Sequence, residues 1–371
     1  MMRFGILGTS GHAQRVAAPV LMRSPAASLL GAAGSTPEGG TRFAAEHGLA
    51  RRYQNLDHML DDKDIDAIWI CSPNHLHAGQ VARCASAGKH VLVEKPLATS
   101  HADSLAAGGA ATRAGITLRV GCQHRFRPSH QRVRAIVQSG ALGNIGFARI
   151  HRFWGYPYFE GMDPARPPAW RRSTETSGGW IINDIGSHLL DLLLWITGSE
   201  AVVAGAVLAS QKFDVATDDS TAVLLRLGNA GIGLMETSCA SQSPGSRIEL
   251  YGVQGWLRAD DTLSGAACIT THQGDAQHFA PMSMLDAYDL QLADFIAAVR
   301  GTTGIGADAG AGSAVAVIIE AALAQGSCAN GGVRSPRGPL TDLNAVHPAS
   351  REAGTQTIHP ATRGTPCQTT P

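Results

Sequence analysis

Five short apolar runs occupy the first third of this chain, and none of them alternates. Residues 4–7, 29–33, 67–71, 90–93 and 117–120 are each unbroken, with stretches of helical character between them. A strand with one wet face reads apolar, polar, apolar, whereas an unbroken run belongs to a strand covered on both faces. Strand and helix in regular alternation predict a doubly wound parallel sheet, an α/β fold.

The pattern changes near residue 144. Segments 145–152, 201–208, 221–227, 231–238 and 247–251 read as longer strands separated by turn residues, which predicts a large, mostly antiparallel sheet. An amphipathic helix is expected over 286–300 and a more apolar one over 313–324. From Arg337 onward Pro, Thr, Gly and Ala dominate without apolar periodicity, as in a disordered tail. A chain of 371 residues exceeds what one core comfortably serves. The expected division is a doubly wound α/β domain over 1–125, an α+β domain over 126–335, and a tail over 336–371.

Composition removes several classes of partner. Thirty basic and thirty acidic residues cancel, which gives no reason to expect nucleic acid or an anionic membrane. Seven scattered cysteines without a C-x-x-C fit a reducing compartment. No apolar run is long enough to span a bilayer, and the N-terminus reads as a first strand rather than a signal peptide. A cytoplasmic location is the expectation.

Polar residues follow each apolar run, at the edge where open α/β sheets bind ligands. After the first come Gly8, Thr9, Ser10, Gly11, His12 and Ala13, a glycine turn opening a helix. Such a turn lets the backbone approach a pyrophosphate at a helix N-terminus, although Ser10 holds the place of the usual second glycine. The second run ends at Ser35 and Thr36 with no carboxylate before Glu38, and Arg42 follows. A carboxylate there bonds the ribose of NAD. Its absence favours NADP, with NAD still tolerated. Ser72-Pro73-Asn74-His75, Glu94-Lys95-Pro96 and Gln123-His124-Arg125 close the later strands. Lys95 is the best single candidate for chemistry, since a lysine held at a strand end can bond a carbinol or carbonyl oxygen beside a nicotinamide.

Farther on, Asp184, His188 and Asp191 fall at i, i+4 and i+7 if a helix starts near Asn183, which puts them on one face. The rest of that helix is almost wholly apolar, so it is expected to be buried. The stripe is either a satisfied core set or a proton-transfer site.

These segments, taken in order, resemble the glucose–fructose oxidoreductase, inositol dehydrogenase and rhizopine-catabolism (Gfo/Idh/MocA) family. The resemblance covers about residues 3–335 and rests on 8–13, 72–77, 88–96, 123–128 and 178–191. It implies a Rossmann domain, a second domain with an open antiparallel sheet, and NAD(P)-linked chemistry at a secondary carbon of a sugar or cyclitol. It assigns Lys95, Asp184 and His188 to the active site and implies a homodimer or homotetramer formed through the open sheet. Ser72, Asn74, His77, Glu94, Lys95 and Gln123 join the glycine turn, Ser35, Thr36 and Arg42 as cofactor candidates. Trp180 stands where a third glycine is common, and is expected to narrow the substrate pocket.

Seven of the chain's twenty aromatic residues lie in 151–180: Phe153, Trp154, Tyr156, Tyr158, Phe159, Trp170 and Trp180. Aromatic faces pack on the C–H faces of sugars, and they also pack at subunit interfaces. Among them stand Arg152, Arg166, Arg171 and Arg172, which either hold an anion or pair with nearby acids. His124, Arg125, Trp154, Tyr156, Trp170, Arg171 and Trp180 are the substrate-side candidates. Neither His75-x-His77 nor the His188/Asp191 pair has further ligands at metal-binding spacing. The expected roles are proton exchange by His188, orientation of substrate and tuning of His188 by Asp184, and polarisation of the reacting oxygen by Lys95. Two alternatives share these residues: oxidation of an aromatic trans-dihydrodiol, and a dinucleotide-binding regulator without catalysis.

Overall fold

A computed structural model describes residues 1–157, 163, 165, 167–241, 245–263 and 266–326. The expected tail over 336–371, together with Tyr158, Phe159 and Arg166, lies outside the described residues.

The first sheet is parallel throughout, with strand order β3-β2-β1-β4-β5-β6. Its strands are β1 (Met2–Leu7), β2 (Ala27–Ala33), β3 (Arg51–Tyr53), β4 (Ala67–Ile70), β5 (His90–Val93) and β6 (Leu118–Val120). Both faces are covered, which is why the apolar runs are unbroken. Phe4, Ile6, Trp69 and Leu92 face a layer that includes Val20, Leu21 and, from the late helix Met284–Val299, Leu292 and Phe295. Leu7, Ile68, Ile70, Val91 and Val93 face the opposite layer, with Val81, Ala107 and Ala111. Strand β3 has no apolar run to announce it, because a three-residue edge strand needs only its last side chain, Tyr53, buried.

The second sheet has eight strands in the order β14-β13-β12-β11-β7-β10-β9-β8. They are β7 (Ile145–Phe153), β8 (Ala201–Ala209), β9 (Ser220–Leu227), β10 (Ile232–Ser238), β11 (Gly245–Gly252), β12 (Trp256–Asp260), β13 (Cys268–Thr271) and β14 (Ala276–His278). Only β7 and β10 run parallel; the other neighbours are antiparallel. One face packs on the apolar helix Ser187–Thr197 through Val223, Leu225, Met235 and Ile248. The other carries Val202, Val207, Leu224 and Ile232, all exposed.

The strand order reverses between β1 and β4, so the loops leaving these two strands diverge around a crevice at the carboxyl edge of the sheet. The segment that begins the apolar helix of the second layer closes over that edge. Among the described residues, no helix is long and apolar enough to cross a membrane.

Candidate active site

Gly8 sets the floor of the crevice. Its φ is +95°, and a Cβ there would stand 2.7 Å from the main-chain carbon and oxygen of Cys71. Only glycine allows the β1 and β4 loops to touch in this way. Beyond it Ser10, Gly11 and His12 line a cleft of about 930 Å³. Thr9 and Ala13 lie behind this wall, and Ala13 is fully buried. Ser35 and Thr36 are exposed just after β2 and Arg42 is exposed on the helix Pro37–Glu46, all outside the cleft. Thr36 caps the helix Pro37–Glu46, its hydroxyl oxygen accepting from Gly39 N at 3.1 Å.

The later strand ends interlock. The His77 ring nitrogens lie 2.7 Å and 2.9 Å from the main-chain oxygens of Pro96 and Ser72, which pins the β4 loop to the β5 loop. Asn74 Nδ2 donates to Ser177 O at 3.0 Å and joins both loops to the second layer. Glu94 is buried, with Oε1 accepting from Trp69 Nε1 at 3.1 Å and lying 3.0 Å from His12 Nε2. Burial pushes its carboxyl up, but His12, Lys95 and Trp69 together hold it below its ordinary value. Lys95 Nζ donates to the main-chain oxygen of Asp184 at 2.9 Å, and burial lowers its pKa against the raising effect of Asp184 and Glu94.

The segment bearing Asp184 is not a regular helix. Gly178 and Gly179 have φ of +68° and +100°, and Asn183 Nδ2 donates to the oxygens of Ser177, Gly178 and Gly179. A widened turn, Ile182–Gly186, then leads into the α-helix Ser187–Thr197. Its first amides are held by Asp218. The buried Asp218 carboxylate accepts from Trp180 N at 2.7 Å, Ile182 N at 2.8 Å and Thr221 Oγ1 at 2.6 Å, while burial pushes its pKa up to about 6.

The wide turn takes an extra residue into the helix and splits the expected three-residue stripe. Asp184 turns to Arg171, whose Nε donates to Oδ2 at 2.6 Å, and to Trp180, whose Nε1 donates to the same oxygen at 3.2 Å. It makes no hydrogen bond to His188. The His188 ring instead meets His124 edge-on, with centroids 4.7 Å apart. Asp191 leaves the cleft altogether and forms a two-pronged pair with Arg125, at 2.9 Å from Nε and 2.5 Å from Nη2.

Two substrate-side expectations are corrected here. Arg125 is 8 % exposed and spent on Asp191, because a buried guanidinium needs a counter-charge more than the cleft needs another cation. Trp180 is fully buried against Tyr156 and Phe213. It does not narrow the pocket, and its contribution is the hydrogen bond that orients Asp184.

His124, Trp154, Tyr156, Trp170 and Arg171 do line the cleft with Lys95, Asp184 and His188. Trp170 and Trp154 lie under the guanidinium carbons of Arg171 and Arg152, at 4.5 Å and 4.0 Å. Burial lowers the pKa of both His188 and His124 well below the ordinary histidine value. Lys95, Arg152 and His12 add to the effect on His188, and His188, Arg127 and Arg152 add to that on His124. Both imidazoles are therefore neutral at pH 7. His188 Nδ1 and Gln123 Oε1 are buried without a partner among the described residues. Arg15, Arg127, Met282 and Tyr288 also line the cleft, and no local sequence signal singles them out.

The comparisons with known proteins give the family. Residues 2–122 match the profile of an oxidoreductase family with an NAD-binding Rossmann fold, and residues 130–258 match the GFO/IDH/MocA C-terminal domain. Together they span more than half of the chain. The chain belongs to the GFO/IDH/MocA oxidoreductase family. This family member is 25 % identical to 1,5-anhydro-D-fructose reductase of Ensifer adhaerens over 307 residues, 81 % of this chain and 89 % of the relative. It is 28 % identical to inositol 2-dehydrogenase of Rhizobium meliloti over 331 residues, 87 % and 96 % of the two chains. Levoglucosan dehydrogenase in complex with NADH and levoglucosan shares its fold, with a TM-score of 0.76 at 22 % identity over 88 % of this chain and 97 % of that one. A GFO/IDH/MocA member is an oxidoreductase of the NAD-binding type. One local feature fits a dinucleotide: the buried acceptor of Gln123, which has no partner among the described residues.

Proposed function

We propose that this oxidoreductase moves a hydride between NAD(P) and a secondary carbinol or carbonyl carbon of a sugar, sugar derivative or cyclitol. Residues 1–125 hold the cofactor and residues 126–335 the substrate. The observation that carries the reading is the bond from Lys95 Nζ to Asp184 O. It joins the strand-end lysine to the segment that presents His188, so both reach one cleft lined by the glycine turn.

The bound nicotinamide supplies the hydride acceptor or donor. Neutral His188 takes the hydroxyl proton as the substrate carbon is oxidised and returns it in reduction. The Lys95 ammonium donates to the same oxygen and stabilises the negative charge that builds on it. Asp184, with Oδ2 fixed by Arg171 and Trp180, presents Oδ1 to a substrate hydroxyl. That role is orientation of the substrate and not tuning of His188. Trp154, Tyr156 and Trp170 supply apolar faces for the C–H side of the ring.

NADP is the preferred cofactor in this reading. Ser35 and Thr36 end β2 with exposed hydroxyls and no carboxylate, and Arg42 is exposed nearby. The exposed apolar face of the second sheet is covered by a second copy of the chain. A panel of sugars and cyclitols with NADP and NAD, followed by the absorbance of the reduced cofactor, tests the reading. Turnover of at least one polyol supports it; cofactor binding without turnover of any of them would leave a sensor and sink the enzyme reading.

A further inference from the structure

Positive charge is in excess in the cleft. Among the described residues Arg15, Lys95, Arg127, Arg152 and Arg171 line it, against Glu94, Asp163 and Asp184. Two of these carboxylates are committed, Glu94 beside His12 and Asp184 on Arg171. Arg127 stands beside His124, whose ring meets His188 edge-on.

Arg127 is the informative member. It is 5 % exposed, yet no carboxylate of the described residues lies within ion-pair distance of it. Its Nε donates to His124 Nδ1 at 3.3 Å and its Nη1 to the main-chain oxygen of Met282 at 3.2 Å. Both acceptors are neutral, and among the described residues Nη2 has no acceptor. Arg125, buried two residues earlier, carries a paired aspartate. A buried guanidinium without a counter-charge is costly, and a ligand anion removes that cost.

The cofactor's phosphates do not account for it. The glycine turn follows β1 and Arg127 follows β6, three strand spacings away in the sheet order, roughly 14 Å. Arg15, whose guanidinium lies against Gly11, is the arginine at the phosphate end.

We propose that the substrate carries a carboxylate, which seats on the Arg127 guanidinium at the end of the cleft away from the cofactor's phosphates. The proposal rests on the hydride-transfer reading and names its substrate class: a uronate or a carboxylated cyclitol. His124 stands between Arg127 and His188, which places the carboxylate across the ring from the reacting carbon and not on its neighbour. One free guanidinium edge suits a monoanion; a dianionic phosphate calls for more donors than the wall offers.

Two readouts separate this proposal from the reading beneath it. The first is kcat/KM for D-galacturonate against D-galactose, D-glucuronate against D-glucose, and quinate against myo-inositol, with each sugar's 6-phosphate as a further arm. The carboxylated member of at least one pair is expected to be favoured by about 10–150-fold, the span of a charge-assisted hydrogen bond. The second readout is the thermal shift of the NADP-bound protein with the same ligands, which needs no turnover. The favoured carboxylate raises Tm where its neutral partner does not. Arg127→Gln abolishes the difference, and Arg127→Lys, which keeps the charge but loses the planar fork, restores part of it. Turnover and binding that treat charged and neutral partners alike, or a phosphate preference, overturn the carboxylate and leave hydride transfer standing. So does a carboxylate preference undiminished in a folded Arg127→Gln. A carboxylate-selective Tm shift without turnover of any compound overturns hydride transfer and leaves the anion site standing.

Discussion

Lys95 Nζ donates to the main-chain oxygen of Asp184 at 2.9 Å, across 89 residues of sequence. The bond fixes the ammonium over the widened turn and beside the helix that carries His188. Replacing Lys95 by Met keeps the stem and removes the donor. Turnover of the best substrate is expected to fall by roughly 10²–10³-fold, as when one donor to a developing oxyanion is lost. Cofactor Kd, read by quenching of tryptophan fluorescence, is expected to change little. Unaltered turnover in Lys95→Met would place the reacting oxygen elsewhere.

The pH profile carries a sign. Burial, with Lys95, Arg152 and His12 nearby, lowers the His188 pKa, and His124 is lowered in the same way. A histidine of lowered pKa stays a neutral base at more acidic pH than a free one. The acid limb of kcat/KM for alcohol oxidation therefore falls below pH 6.5, the ordinary histidine value. A limb centred above that value contradicts the assignment of His188 as the base.

Much of this architecture is legible in the sequence because it is local. The unbroken runs of β1, β4 and β5 announce strands buried on both faces, and the glycine turn and Glu94-Lys95-Pro96 sit at strand ends. What is not legible depends on partners far away in the chain. Nothing near Asp191 reveals that Arg125, 66 residues earlier, takes it out of the cleft. Nothing near Trp180 reveals that Asp218 holds the start of its helix. The spacing of Asp184 and His188 suggests one face only while the helix is regular, and the wide turn Ile182–Gly186 removes that premise. Strands β12 to β14 are short, β12 alternates and β14 is exposed throughout, so an apolar-run reading passes them by.

Cofactor choice is expected to reside at the end of β2. Ser35→Asp adds repulsion against a 2′-phosphate and an acceptor for a free 2′-hydroxyl. A charge-assisted hydrogen bond contributes about 1.5–3 kcal/mol, so the NADP/NAD ratio of kcat/KM should move toward NAD by about tenfold or more. A wild-type enzyme that already prefers NAD strongly, or a ratio that Ser35→Asp leaves untouched, removes this strand end from cofactor selection.

The outer face of the second sheet predicts self-association. Val202 and Val207 on β8, Leu224 on β9 and Ile232 on β10 are 62 %, 68 %, 43 % and 46 % exposed. Exposed apolar side chains on three adjacent strands, with Arg226 among them, fit an interface between copies. Light scattering after size exclusion is expected to give a dimer or tetramer, and Val207→Asp with Leu224→Arg a smaller species that still binds cofactor. A wild-type monomer at micromolar concentration contradicts it.

The central claim is that one cleft brings His188 to a carbinol proton while the cofactor receives the hydride. The most direct measurement is single-turnover oxidation of the best polyol by His188→Asn with saturating cofactor, alongside the wild type. Loss of the base is expected to slow formation of the reduced cofactor by about 10²–10⁴-fold, with cofactor Kd within a few-fold of the wild type. A rate within a few-fold of the wild type would show that another group moves the proton and that the cleft works by a different arrangement.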